Sequence, residues 1–157
     1  MKKRAVQGSV VWQCVMVAVI LLTTGFIWSN SMRNATASGA QSGFFKQLFA
    51  QIFDITREPF RFLYDHLRKL AHFAEFALLG TEVSLLLLAS AKKRLPVRLL
   101  LGMCFCVLVA VVDETIQLFV PGRVASAVDV CIDSAGALCG MLLCFGAALL
   151  RPLFKKK

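Results

Sequence analysis

Four stretches of the chain, residues 10–28, 72–91, 97–120 and 128–150, are each about twenty residues long and dominated by apolar side chains. A helix of that length matches the thickness of a bilayer's hydrocarbon core. Within lipid every backbone N–H and C=O must find its partner inside the chain, so such stretches are confined to helices. The sequence therefore predicts an all-α integral membrane protein with four transmembrane helices. One domain over residues 1–157 accommodates them.

A net charge of +9 would suit a nucleic-acid binder, but its distribution argues against one. Lys2, Lys3 and Arg4 precede the first span. Lys92, Lys93, Arg94 and Arg98 stand between the second and third, and Arg151 with Lys155, Lys156 and Lys157 follows the fourth. These three short segments hold most of the eighteen basic residues, and four spans put all three on one side. The positive-inside rule then predicts both termini in the cytoplasm and a multi-pass protein of the cell membrane. Residues 29–69 and 121–127 are expected to face outward. The charge is read as orientation and lipid contact, with no nucleic-acid partner expected.

The N-terminal MKKR, apolar run and Ala35-Thr36-Ala37 imitate a cleavable signal peptide. The apolar run is long for that purpose and the small-residue motif lies well past it, so an uncleaved anchor is favoured. The six cysteines all fall in hydrophobic stretches without metal-finger spacing and are expected to be small packing residues. No phosphate-binding glycine loop and no internal repeat is present.

Between the first two spans, residues 29–43 are expected to form a polar outer linker without a packing pattern. In residues 44–67, Phe44, Leu48 and Ile52 recur at helical spacing and Pro59 divides the segment. This predicts a broken amphipathic helix in the outer interface, with a small packed cap over the bundle as the alternative.

Ionisable residues inside a membrane cost several kcal/mol unless paired or hydrated, and they mark function by default. On the second helix, at about 100° per residue, His72, Glu75 and Glu82 share one face, with Glu82 roughly 10 Å deeper than Glu75. On the third, Asp113 and Gln117 share a face with Glu114 beside it. On the fourth, Asp129 and Asp133 continue into Gly136 and Gly140, a small-xxx-small stripe that lets a neighbouring backbone come close. Three helices thus bring polar groups to one level, with Lys69 and Arg123 at the rim. Set against this is a plain reading, in which Lys69, Arg68 and Arg123 pair with Asp113, Glu114, Asp129 and Asp133 only to lock the helix ends.

These residues also carry a resemblance. "KLAHFAEFALLG" (69–80) and "DETIQLFVPGRVASAVDVCIDSAGALCG" (113–140) resemble the two polar motifs of the VanZ-like membrane protein family, and the serine-containing linker after the first span, "SNSM…SGAQS", is similar in character. The resemblance places the family's polar positions on Lys69, His72, Glu75, Asp113, Glu114, Gln117, Arg123, Asp129 and Asp133, and its small positions on Gly136 and Gly140. Glu82 and the charged segment from Asp54 to Asp65 have no counterpart in it. The family's namesake is associated with resistance to the glycopeptide teicoplanin in Gram-positive bacteria, so the resemblance implies a cell-envelope role.

Two functions compete. The favoured one is a non-enzymatic envelope protein whose outer site holds the headgroup of a membrane lipid or lipid-linked wall precursor. Arg123 and Lys69 would contact phosphate. The alternative is a small intramembrane enzyme, metal-assisted in one version, acting on a polyprenyl-phosphate-type lipid. Glu75, Glu114 or Asp133 would then be base or ligand and His72 the acid. No serine has a partner at nucleophile-base spacing, catalytic residues are not assigned, and no metal or cofactor is expected.

Overall fold

The structure, a computed structural model, describes residues 10–33, 35–89 and 94–154. Lys2, Lys3, Arg4, Lys92, Lys93 and residues 155–157, which carry much of the orientation argument, lie outside them. Six helices follow in order: α1 (Val10–Ser31), α2 (Ala35–Ile52), α3 (Phe60–Asp65), α4 (Leu67–Ala89), α5 (Leu95–Leu118) and α6 (Ala127–Phe154). No strand occurs among the described residues. Four helices are long and apolar enough to cross a bilayer: α1, α4, α5 and residues 127–150 of α6, with mean hydropathies of 2.2, 1.4, 2.5 and 1.8. The expected fold class is the one observed.

The helix ends follow from local chemistry. Pro96 occupies the first turn of α5, where its missing N–H costs no hydrogen bond. The α5–α6 connection is a type II β-turn over Val120–Arg123, with Pro121 and Gly122 at its centre. Arg123 N donates to Val120 O at 3.1 Å, and Gly122 takes the left-handed φ of 78° that this turn demands. Ser126 caps α6, its Oγ accepting from Val128 N at 3.2 Å.

The linker between the first two spans differs from expectation. α1 runs on to Ser31, and α2 begins at Ala35, so most of residues 29–43 is helical. The segment ATASGAQS has three alanines and no proline, so although Gly39 and the hydroxyl residues are weak helix formers, nothing in it blocks the helical hydrogen-bond ladder. Past Ile52 the helix does break, as Pro59 predicts. Phe49, Phe53 and Phe60 bridge the break with ring centroids 4.7 and 5.0 Å apart. Asp54 accepts from both the N–H and the Oγ1 of Thr56, at 3.1 and 2.5 Å, which holds its carboxyl below the usual range. Phe44, Phe45, Leu48 and Ile52 of α2 stay largely exposed.

Contacts between helices fix the bundle. Thr23 with Glu82 and Asn30 with Glu75 make α1 and α4 antiparallel, whereas Trp28 with Val109 and Ser31 with Asp113 make α1 and α5 parallel. α4 and α6 run parallel in the closest contact of all. A Cβ on Gly136 would strike the Phe73 carbonyl, one on Gly140 the Ala77 carbonyl, and one on Gly80 the Ala137 carbonyl. The expected stripe on α6 is therefore a backbone-to-backbone seam, matched by Gly80 from the other side. Beside it lies a core of Ile27, Phe76, Leu79, Cys106, Val109, Ala110 and Ala137. Leu22, Leu100, Leu108 and Leu143 point outward, each more than half exposed, as side chains facing lipid do.

Candidate functional site

One end of the bundle collects the C-terminus of α1, the N-terminus of α4, the C-terminus of α5 and the N-terminus of α6. At this end Asp113, Glu114, Gln117 and Asp133 are buried side by side, none more than 6% exposed. Asp113 Oδ2 accepts from Ser31 Oγ at 2.7 Å and from Gln117 Nε2 at 3.1 Å. The same Gln117 amide donates to Glu114 Oε1 at 3.0 Å, and Glu114 Oε2 accepts from the Ser126 backbone N at 2.8 Å. Gln117 thus ties the two carboxylates of α5 together. Glu114 fastens the start of α6 to α5.

Arg123 makes no ion pair with these acids. Its Nη2 donates to Asn30 O and its Nε to Arg33 O, both at 3.3 Å, and its Nη1 to Gln117 Oε1 at 3.4 Å. The turn at Pro121 and Gly122 swings it over the end of α1, where a cation meets the last carbonyls and the negative end of the helix dipole. The pairing of Arg123 with Glu114 that the plain reading would require is replaced by a link through Gln117. Of the pairs that the plain reading requires, Lys69 with Asp129 is present, Nζ to Oδ1 3.2 Å, with both side chains partly in solvent.

The shared face of α4 divides between neighbours. Glu75 and Glu82 turn toward α1, accepting from Asn30 Nδ2 at 3.2 Å and Thr23 Oγ1 at 3.0 Å. His72 turns the other way, so that one of its nitrogens and one oxygen each of Asp113 and Asp133 lie within 4.8 Å of one another. His72 Nδ1 and Glu75 Oε2 stand 4.0 Å apart, too far for a hydrogen bond. Asp133, 1% exposed, has no hydrogen-bond partner on either oxygen, and Asp113 Oδ1 and His72 Nδ1 have none.

Beside this cluster, between α1, α2 and α4, opens a groove of about 460 Å³. Phe26, Phe45, Leu67 and Leu70 make its apolar walls; Asn30, His72 and Glu75 line it on the bundle side, and Arg68 and Arg123 stand with them.

The sequence model described as VanZ/LLP1 matches residues 10–151. The chain belongs to the VanZ/LLP1 family. No curated protein and no solved structure matches it. The match spans all four long helices of this VanZ/LLP1 protein, and so the whole polar cluster.

Sequence reasoning singled out most of the cluster but gave no role to Asn30, Ser31 or Thr23, the α1 partners of Glu75, Asp113 and Glu82. The serines of "SNSM" in the family resemblance were the available signal for Ser31. Their place became definite only because α1 extends three residues past position 28.

Proposed function

We propose that this VanZ/LLP1 protein resides in the cell membrane and serves the cell envelope by holding the phosphate-bearing headgroup of a lipid or lipid-linked wall precursor in the groove between α1, α2 and α4. The observation that carries this reading is the composition of the groove: two arginines at its polar end, and phenylalanine and leucine walls that suit a hydrocarbon chain. Arg123 uses three of its five N–H groups on Asn30, Arg33 and Gln117, leaving two for a phosphate oxygen. Arg68 is exposed at the start of α4 and free to swing onto the same group.

The positive-inside rule, applied to the basic segments, supports an orientation with this end of the bundle outside the cytoplasm. Phe44, Phe45, Leu48 and Ile52 on α2 would then dip into the outer leaflet and shelter the groove. Effects on glycopeptide action would be a consequence of occupying such a precursor.

Binding of a polyprenyl phosphate and of the uncharged polyprenol to the full chain in detergent tests the proposal. The phosphate is expected to bind at least tenfold more tightly, and Arg68→Gln to remove about a tenfold share of that preference, the worth of one charge-assisted hydrogen bond. Equal binding of the two lipids, or an unchanged preference in Arg68→Gln, would refute it. Labelling single cysteines fixes the side: Ser38→Cys is expected to react from outside and Arg94→Cys from the cytoplasm.

A further inference from the structure

We infer that His72, Asp113 and Asp133 are the protein ligands of a site for one divalent cation of the zinc or manganese type, buried where α4, α5 and α6 meet. Three helices far apart in sequence each deliver one ligand atom to a space no more than 4.8 Å across. Acidic clusters are common, but this one has a second feature. Asp133 is 1% exposed and neither of its oxygens has a partner, and the Oδ1 of the fully buried Asp113 is equally alone. Buried polar groups are otherwise almost always hydrogen-bonded. Buried carboxylate oxygens without protein partners, facing a shared space, are the lone pairs that a cation would satisfy.

The surroundings fit. Ser31 and Gln117 both donate to Asp113 Oδ2, which fixes the carboxylate and leaves Oδ1 turned away from them and free. Such outer partners typically orient metal-binding carboxylates. Glu75 Oε2, 4.0 Å from His72 Nδ1, stands where a small movement makes the carboxylate–histidine contact that sets the imidazole's tautomer. With every group ionised, the carboxylates of Glu75, Asp113, Glu114, Asp129 and Asp133 outnumber Arg68, Lys69 and Arg123 by two, and one dication cancels that excess.

The donor set selects the ion. Calcium and magnesium take oxygen ligands, whereas an imidazole with two carboxylates suits a borderline dication such as Zn²⁺, or the harder Mn²⁺, for which the two carboxylates supply the preferred oxygens. Metal–ligand bonds of about 2.0–2.2 Å in a tetrahedron put ligand atoms about 3.4 Å apart, so the separations within this set, at most 4.8 Å, close by no more than about 1.4 Å on binding. Three protein ligands leave a coordination position open. His72 both belongs to this set and lines the groove.

The test uses tag-free full-length protein in detergent, stripped with chelator and given ZnCl₂ or MnCl₂ alone, without lipid. This keeps it separate from the headgroup proposal. About one equivalent of metal is expected to survive gel filtration and to raise the melting temperature by about 5 °C. Asp133→Asn and His72→Gln are expected to retain less than about a tenth as much, and Glu82→Gln, a buried acid outside the cluster, as much as the parent. Should the cluster variants fail to fold, X-ray absorption of the metal-loaded parent decides, with a mixed nitrogen and oxygen shell expected. No retained metal and an unmoved melting curve would overturn the inference. So would full retention by Asp133→Asn, or a shell of oxygen alone.

Discussion

Two stretches of the same helix pair, one turn apart, solve opposite problems. Along the seam, Gly80 of α4 and Gly136 and Gly140 of α6 let backbone lie on backbone, and the hydroxyls of Thr81 and Ser84 are satisfied within their own helix. At the polar end, His72 and Asp133 from these two helices face Asp113 with much of their hydrogen-bonding capacity unused. The seam explains the cluster. Gly136 lies against Phe73, the neighbour of His72, and Asp133 stands one turn before Gly136. Only a residue without a Cβ allows that approach, so the glycines set the distance at which the polar side chains meet. Tight packing in one place holds unsatisfied chemistry in another.

The largest effect is expected from closing the seam. A Cβ at Gly140 already overlaps the Ala77 carbonyl, which cannot move without its helix. Gly140→Leu should therefore cost ~3 kcal/mol or more, read as thermal stability in detergent, because overpacking there displaces backbone. An unchanged melting profile would mean that the seam does not position the polar end.

A smaller effect is expected where the polar end is satisfied. Glu114 and Arg123 meet only through Gln117, which donates to one and accepts from the other. Glu114→Gln and Arg123→Gln should each destabilise by about 1–2 kcal/mol, and the double variant by less than their sum by about 0.5 kcal/mol or more. Strict additivity in accumulation and in melting would show that Gln117 does not couple them.

The smallest effect is expected at Glu82. It is as buried as Glu114, yet Thr23 satisfies one oxygen and a glutamine carbonyl accepts from the same hydroxyl. Glu82→Gln should change stability by less than about 1 kcal/mol, in either direction. A loss as large as that of Gly140→Leu would place an essential charge at mid-bundle instead.

Much of this was legible in the sequence, and the illegible part has one cause. The four apolar stretches coincide with the four long helices to within five residues at every start and end. Helical spacing put Asp113 with Gln117, and Asp129 with Asp133, on common faces. Spacing describes a helix against itself, however, and says nothing about which neighbour a face meets. His72 and Glu75 share a face, yet they serve different partners because α5 and α6 lie to one side of it and α1 to the other. The plain reading paired Arg123 with a carboxylate. The turn at Pro121 and Gly122 delivers it to the carbonyls that end α1, a destination set by geometry more than by charge. Asp133 was among the ligands that the metal-assisted reading offered, but its grouping with His72 and Asp113 was not legible, since the three residues come from three helices and form no local motif.

The central claim is that the polar end of the bundle, with the groove beside it, is a binding site for an anionic headgroup. A high-resolution cryo-electron microscopy reconstruction of the full chain in its native lipid tests this most directly. Elongated density is expected along Phe26, Phe45 and Leu67, ending in a phosphate about 3 Å from Arg68 and Arg123. A groove filled by the side chains of α2, or a headgroup ordered only at the opposite end of the bundle, would contradict it.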